Sequence, residues 1–471
     1  MTWSYTFPEQ EGMDSRWIID FLNAFEKAGS EVHGMMIVKN SSVVFEAYNE
    51  PYRRDIPHVV HSFTKCLTNT AFGILYSKGK VSLEDPVLRY FPEYEPRANE
   101  YLRQLTLKDL ISMRSGQERS IGGNEWRPLK SSWIDAYFEV PFVKKGGEEF
   151  LYSSGNSYII SAVVQKITGK TCYEYLKEHL IPQIGMNEFT WSTSPEGICS
   201  GGNGASLCVE DIAKIGCLYL NHGRWNGRQI FSREWAELSF GEKKPAEGSY
   251  NFHWTHSGDQ WLAGGMFGQA CAVIPKLNMV VAMTAADDQN LGSSMIQKYL
   301  IEPNFSSVSL NENNRKVLQN KGQRMTLLNR YASIHEPVKG TQGIFQYRME
   351  ENVTQIKSLR LEISSEKAVF ELCDHRGKHK ISAGLNHWIY GDTSLTGGYL
   401  HHQYEMESLK VTACCYWYCE NKLILELRYP ELVFWDHISI EWLDDESIKL
   451  NRWVNMNSEA SSCPEVRGML I

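Results

Sequence analysis

Two pairs of apolar runs, far apart in the chain, constrain the fold more than any other feature. Gly34-Met35-Met36-Ile37-Val38-Lys39 and Val43-Val44-Phe45-Glu46-Ala47-Tyr48 flank Asn40-Ser41-Ser42, which reads as a hairpin turn. Ala270-Cys271-Ala272-Val273-Ile274 and Met279-Val280-Val281-Ala282-Met283-Thr284 flank Pro275-Lys276-Leu277-Asn278 in the same way. Helical patterns lie between them. One runs over residues 62–77, apolar at Phe63, Leu67, Ala71, Ile74 and Leu75, with Gly79 at its C-terminal end. A second covers 158–167 and stops at Gly169, and a third covers 211–220, with Asp211 expected to cap or begin it. An amphipathic pattern at 16–27 precedes the first pair. Hairpins that bracket helices predict an α+β fold: an antiparallel sheet flanked by helices, with a helical insertion.

A chain of 471 residues is too long for one compact core. The polar, Asn- and Ser-rich stretch at 303–315 reads as a linker, which gives a catalytic domain at 1–302 and a C-terminal domain at 316–471. Beyond the linker the helical signal fades. Residues 369–373, 411–418, 423–429 and 438–442 read as strands punctuated by Gly and Asn, the texture of an all-β sandwich or small barrel.

Charge and cysteine usage exclude several functions. Forty-eight Lys and Arg against 56 Asp and Glu give a net charge of −8, with no sign of a nucleic-acid or anionic-membrane partner. No apolar run has the length of a membrane span. Residues 1–9 carry no basic start and no apolar stretch of signal length, so a cytoplasmic location is expected. The 11 cysteines form no CxxC pair and suit free thiols in a reducing compartment. No HExxH occurs, and no metal or cofactor is expected.

Ser62-Phe63-Thr64-Lys65 is an S-x-x-K motif. If Ser62 begins a helix, Lys65 stands one turn on and on the same face. Its amine then lies beside the serine oxygen and can act as base. The Ser62 amide, at a helix N-terminus, can face a developing oxyanion. Ser77-x-x-Lys80 and Ser364-x-x-Lys367 also match. Only Ser62 combines a helix start with a preceding hairpin, and the alternative reading of it is an N-cap serine.

Around Ser62 the ordered string Val59-Val60-His61-Ser62-Phe63-Thr64-Lys65, Gly79-Lys80-Val81-Ser82-Leu83-Glu84-Asp85-Pro86-Val87, Tyr90-Phe91-Pro92-Glu93 and Leu105-Thr106-Leu107-Lys108-Asp109-Leu110-Ile111-Ser112-Met113-Arg114-Ser115-Gly116 resembles the class C β-lactamases and their relatives. Those relatives include penicillin-binding proteins, D-amino-acid peptidases, family VIII esterases and aminohexanoate-oligomer hydrolases. The resemblance covers roughly residues 8–300. It implies Ser62 as nucleophile, Lys65 as its partner and Tyr152 as the second proton-transfer residue. Tyr152 heads Tyr152-Ser153-Ser154, with Ser154 where the family commonly has Asn; that variant resembles the esterase and oligomer-hydrolase side. Gly202 and Asn203, in a glycine-rich loop before the 211–220 helix, are placed by the resemblance near the pocket.

The family's third motif, Lys-Thr-Gly or His-x-Gly on a strand edge, is matched to Met266-Phe267-Gly268, followed by Gln269. The resemblance then implies the Gln269 amide as second oxyanion donor and Gly268 as the point of close substrate approach. Met266 and Phe267 offer no cation and no hydroxyl, so a neutral ester or amide, or a peptide-like small molecule, is the expected substrate. His253 and His256 read as surface or structural residues that at most supply some of the missing charge. A β-lactamase or D-Ala-type peptidase, and a non-catalytic binding relic of the fold, are the competing readings.

Overall fold

The two apolar hairpins meet in one sheet. In the computed structural model, which describes residues 3–241, 249–303, 308, 311–328 and 341–471, the Met279–Ala286 strand pairs antiparallel with Glu31–Lys39, Val280 opposite Val38. The sheet has eight strands, in the order Ser4–Tyr5, Ser42–Tyr48, Glu31–Lys39, Met279–Ala286, Gln269–Ile274, Gln260–Gly265, Trp254–Ser257, Tyr250–Asn251. Every neighbouring pair is antiparallel except the first.

Both faces of this sheet are covered, which is why its central strands read as unbroken apolar runs. Met36, Val38, Val273, Val280 and Ala282 face a core shared with helices Thr64–Ser77, Ser154–Thr168 and Val209–Leu220. Met35, Ile37, Ala272, Val281 and Met283, one step out of phase, face a second core with helix Ser15–Ala28. The Val209–Leu220 helix starts two residues before the position expected from Asp211, after Cys208. Asp211 lies buried in its first turn, where it accepts from Asn187 and pairs with Lys214 at 3.3 Å.

The chain forms two compact units: Met1–Tyr48 with Pro57–Met325, and Asn49–Ile56 with Thr326–Ile471. This differs from the boundary expected at 303–315, part of which lies outside the described residues. Helix Glu312–Gln323 belongs to the first unit because it has a place in that unit's core. Its Leu318 packs with Ile18, Phe21 and Phe25, and Lys321 bonds Glu26 at 2.8 Å. Among the described residues no helix is long and apolar enough to cross a membrane.

The second unit holds an all-β barrel. Its ten strands run from Gly343–Met349 to Val466–Leu470, and these two pair antiparallel. The circuit closes where Gly384 and Leu385 pair in parallel with Cys414 and Cys415. Closure leaves the main circuit without a free edge, which favours the barrel over the sandwich. Alternate residues point inward, and the interior includes one ionic group. Asp436 is fully buried and accepts from His401 Nε2 at 2.7 Å and Arg452 Nε at 2.8 Å. Burial by itself would raise the Asp436 pKa, but Arg452 and His401 outweigh it and hold the carboxyl at about 2.

A depressed carboxylate pKa contributes stability above its ordinary value and loses it as pH falls through the folded value. The Asp436 contribution is therefore complete above about pH 4 and fades towards pH 2. Asp436→Asn should cost the barrel about 3–5 kcal/mol at pH 7, because Arg452 is then left buried without its counter-charge. Denaturant melts of parent and variant check this, and equal midpoints at pH 7 would refute it.

Candidate functional site

The polypeptide turns sharply before the serine. His61 takes a left-handed backbone, φ 45°, and opens the short 3-10 turn His61–Phe63 that runs into helix Thr64–Ser77. A left-handed non-glycine residue is a strained conformation, held here by its surroundings. Ser62 lies half-buried on that turn, with Lys65 one helical turn on and facing the same way.

Lys65 is 2% exposed, and its Nζ donates to three oxygens: Ser62 Oγ at 3.1 Å, Ser154 Oγ at 3.1 Å and the Gly202 carbonyl at 2.7 Å. Three acceptors match the three donors of an ammonium group. Each comes from a different segment, and each segment is fixed locally. Ser154 is the first residue of helix Ser154–Thr168, and the preceding Ser153 bonds the Ile121 backbone. The Gly202 loop is tied to the same helix that carries Lys65: Thr68 Oγ1 donates to the Gly201 carbonyl at 2.7 Å, and the Ala205 amide donates to Thr64 Oγ1 at 3.1 Å.

Tyr152 stands beside this group but presents its ring. Lys65 Nζ lies 4.7 Å from the ring centroid, a cation–π contact. Among the described residues no hydrogen bond joins its hydroxyl to Ser62 or Lys65. The side chain is 41% exposed, so Tyr152 borders the opening of the site.

The third motif is a hairpin turn and not a strand edge. Met266–Gly268 connects strand Gln260–Gly265 to strand Gln269–Ile274. The strand next to Ser62 is the earlier one: a side chain on Gly265 would come within 2.3 Å of the Val60 carbonyl oxygen and 3.2 Å of His61 Cβ. Met266 is exposed at the turn. Phe267 is buried, takes φ 64° and meets the His61 ring edge-on at 5.7 Å. Gly268 has φ 88°, and a side chain there would collide with Asp287 and Ala285, not with a substrate. Close packing and a left-handed backbone therefore account for that glycine. The Gln269 side chain is buried and fastens the turn, donating to the carbonyls of Met266, Phe267 and Ala285 at 3.2, 3.1 and 2.9 Å.

His253 is not on the surface. It is 4% exposed, and its Nδ1 lies 2.8 Å from the Tyr250 hydroxyl. Burial, then the Lys65 charge, push its pKa well below the ordinary histidine value, so it is neutral near pH 7. Tyr250 in turn meets the Tyr152 ring edge-on at 5.8 Å, and burial followed by Tyr152 pushes its phenol well up. Phe252 and His253 both have left-handed backbones, φ 37° and 73°. Sequence reading missed Tyr250, and of the two readings of His253, surface or structural, the buried position and the Tyr250 partner favour the structural one. The available signal was the aromatic run Tyr250-Asn251-Phe252-His253-Trp254, which leads into strand Trp254–Ser257, the partner of the strand beside Ser62. Among the described residues no group of three or more His, Cys, Asp or Glu could hold a metal.

Comparison with known proteins agrees with this architecture. The family model described as Beta-lactamase matches residues 22–302. The 6-aminohexanoate-dimer hydrolase of Paenarthrobacter ureafaciens is 25% identical over 278 residues, which is 52% of this chain and 70% of that protein. The structure of a penicillin-binding protein homologue from Caulobacter crescentus superposes with a TM-score of 0.51 at 14% identity, over 66% of this chain and 99% of that one. EstCE1, a hydrolase with promiscuous acyltransferase activity, gives 0.50 at 14% identity, over 62% and 99%. The family model spans well over half of the residues, and the sheet with its helical insertion has the corresponding fold: the chain belongs to the β-lactamase family.

Proposed function

We propose that this chain is a serine hydrolase that forms an acyl-enzyme on Ser62 and turns over small, uncharged esters or amides. The observation that carries the reading is the 3.1 Å contact between buried Lys65 Nζ and Ser62 Oγ. When Lys65 is in its amine form, its lone pair accepts the Ser62 proton as Oγ attacks the substrate carbonyl carbon. The carbonyl oxygen becomes an oxyanion, for which the Ser62 amide, on the turn into the Thr64–Ser77 helix, is the proposed donor. Collapse of the tetrahedral intermediate breaks the bond to the leaving group. That group leaves with the proton returned from Lys65, with Tyr152 as second proton carrier at the opening. Water then attacks the ester on Ser62 by the same route, giving a carboxylic acid and free Ser62.

The substrate class rests on the cations missing near the site. Neither Met266 nor Phe267, on the turn after the strand beside Ser62, supplies one, and His253 is neutral. A substrate carboxylate would lose its water with little in return, whereas an uncharged acyl group gains apolar contact. The name of the Paenarthrobacter relative, a hydrolase of a 6-aminohexanoate dimer, supports hydrolysis of a small non-peptidoglycan substrate.

Ser62→Ala should abolish fluorophosphonate labelling and lower p-nitrophenyl ester hydrolysis by about a thousandfold or more. Hydrolysis at the parent rate would remove Ser62 as nucleophile. Lys65→Ala and Tyr152→Phe should each be severe, and their combination no worse than the more severe single change, since the two residues act as a unit. Additive losses in the double variant would separate their roles. A short neutral ester should have a higher kcat/KM than a cephalosporin, and Met266→Lys should narrow that ratio. Efficient cephalosporin turnover by the unsubstituted protein would defeat the specificity argument.

A further inference from the structure

The mouth of the C-terminal barrel contains a cavity of about 270 Å³ that the hydrolase chemistry does not use. Four loops leaving one end of the barrel surround it, contributing residues 353–356, 374–376, 395–399 with 403 and 405, and 463–464. Leu372, Leu395, Leu450 and Val466, all buried, supply aliphatic lining. A barrel mouth with an apolar lining and a few fixed polar groups is a common form of ligand site.

The polar groups in this mouth are unequal. Arg452 is spent on Asp436 and on the Thr396 carbonyl. Asp374 accepts from His379 Nε2 at 2.9 Å and from the Arg376 amide at 2.7 Å, and Glu405 is exposed at the rim. Arg376 differs from these three. Its Nη1 donates to the Ser394 carbonyl and Thr396 Oγ1, and its Nη2 to the Met406 carbonyl. All three acceptors are neutral, and among the described residues no carboxylate pairs with it. A guanidinium has five N–H donors, so the Nε–H and one Nη2–H are not used. The neutral acceptors fix the group in place without cancelling its charge.

We propose that this barrel mouth binds a small monocarboxylate with a short apolar tail. The carboxylate meets Arg376, and the tail lies over Leu372, Leu395, Leu450 and Val466. Asp374 is held by His379 and the Arg376 amide, and Glu405 stands at the exposed rim, so Arg376 is the cation of the lining without a carboxylate partner of its own among the described residues, and a guanidinium can meet both oxygens of a carboxylate at once. The site is independent of the Ser62 chemistry.

Octanoate and octan-1-ol serve as matched probes on the full chain. Cys463 lines the cavity and is partly exposed, so its alkylation by iodoacetamide reports occupancy, with Cys419, also partly exposed and outside the lining, as internal control. Octanoate should slow Cys463 alkylation about tenfold at concentrations where octan-1-ol has no effect, leaving Cys419 unchanged. In calorimetry Arg376→Gln should weaken octanoate binding about tenfold, and Leu450→Trp, which fills the cavity, should remove it. Equal protection by acid and alcohol, no protection at all, or octanoate binding that survives both substitutions would overturn the proposal. If either variant fails to fold, the protection result on the unsubstituted chain decides.

Discussion

A lysine nitrogen buried to 2% exposure requires acceptors for each of its hydrogens, and that requirement organises the first unit. Taking an ammonium group out of water costs several kcal/mol unless it is fully hydrogen-bonded. Ser62, Ser154 and Gly202 satisfy it from three separate segments. The helix that carries Lys65 also holds the Gly202 loop through Thr64 and Thr68, so the group and one of its acceptors are fixed by the same short stretch of helix. The arrangement leaves little freedom for the serine oxygen, which is the preorganisation that nucleophilic attack needs.

Much of this was legible beforehand, and the reason is local. The alternation that sends Val280 and Ala282 to one core and Val281 and Met283 to the other is written in consecutive residues, as is the 3.6-residue spacing of the 62–77 helix. Ser62 and Lys65 are one turn apart, so their proximity follows from helix geometry. The 2.7 Å bond from Lys65 to Gly202 spans 137 positions in sequence, and no spacing rule reports it. The same holds for Asn49–Ile56, which belongs with the barrel through pairings such as Glu50 with Thr326 and carries no compositional mark of it. Strands such as Lys378–Leu385 and Ser447–Val454 went unread because polar residues such as Lys378, Lys380, Lys449 and Asn451 interrupt the apolar pattern of the inward ones.

The turn after the Gln260–Gly265 strand was misread because family spacing was followed past a hairpin. A turn and a strand end can carry the same glycine for different reasons, and only the neighbours tell them apart. Gly268 is required by Asp287 and Ala285 behind it, and Gly265 by the Val60 carbonyl beside it. His253 shows the complementary problem. A polar residue in an aromatic run looks like a surface position until burial, a tyrosine partner and a nearby ammonium are seen together. Its left-handed backbone then identifies a segment shaped by its surroundings.

The central pairing of Glu31–Lys39 with Met279–Ala286 joins residues about 240 positions apart. Closing so long a loop costs entropy before any contact repays it, and folds dominated by such pairings form slowly. During synthesis the first hairpin, the Ser62 helix and the helical insertion must all leave the ribosome before their central strand exists. Until then the apolar edge of Glu31–Lys39 is an open template for other strands. Chaperone dependence and a tendency to misassemble when production is fast are the expected cellular cost of dividing one sheet between two distant stretches of chain.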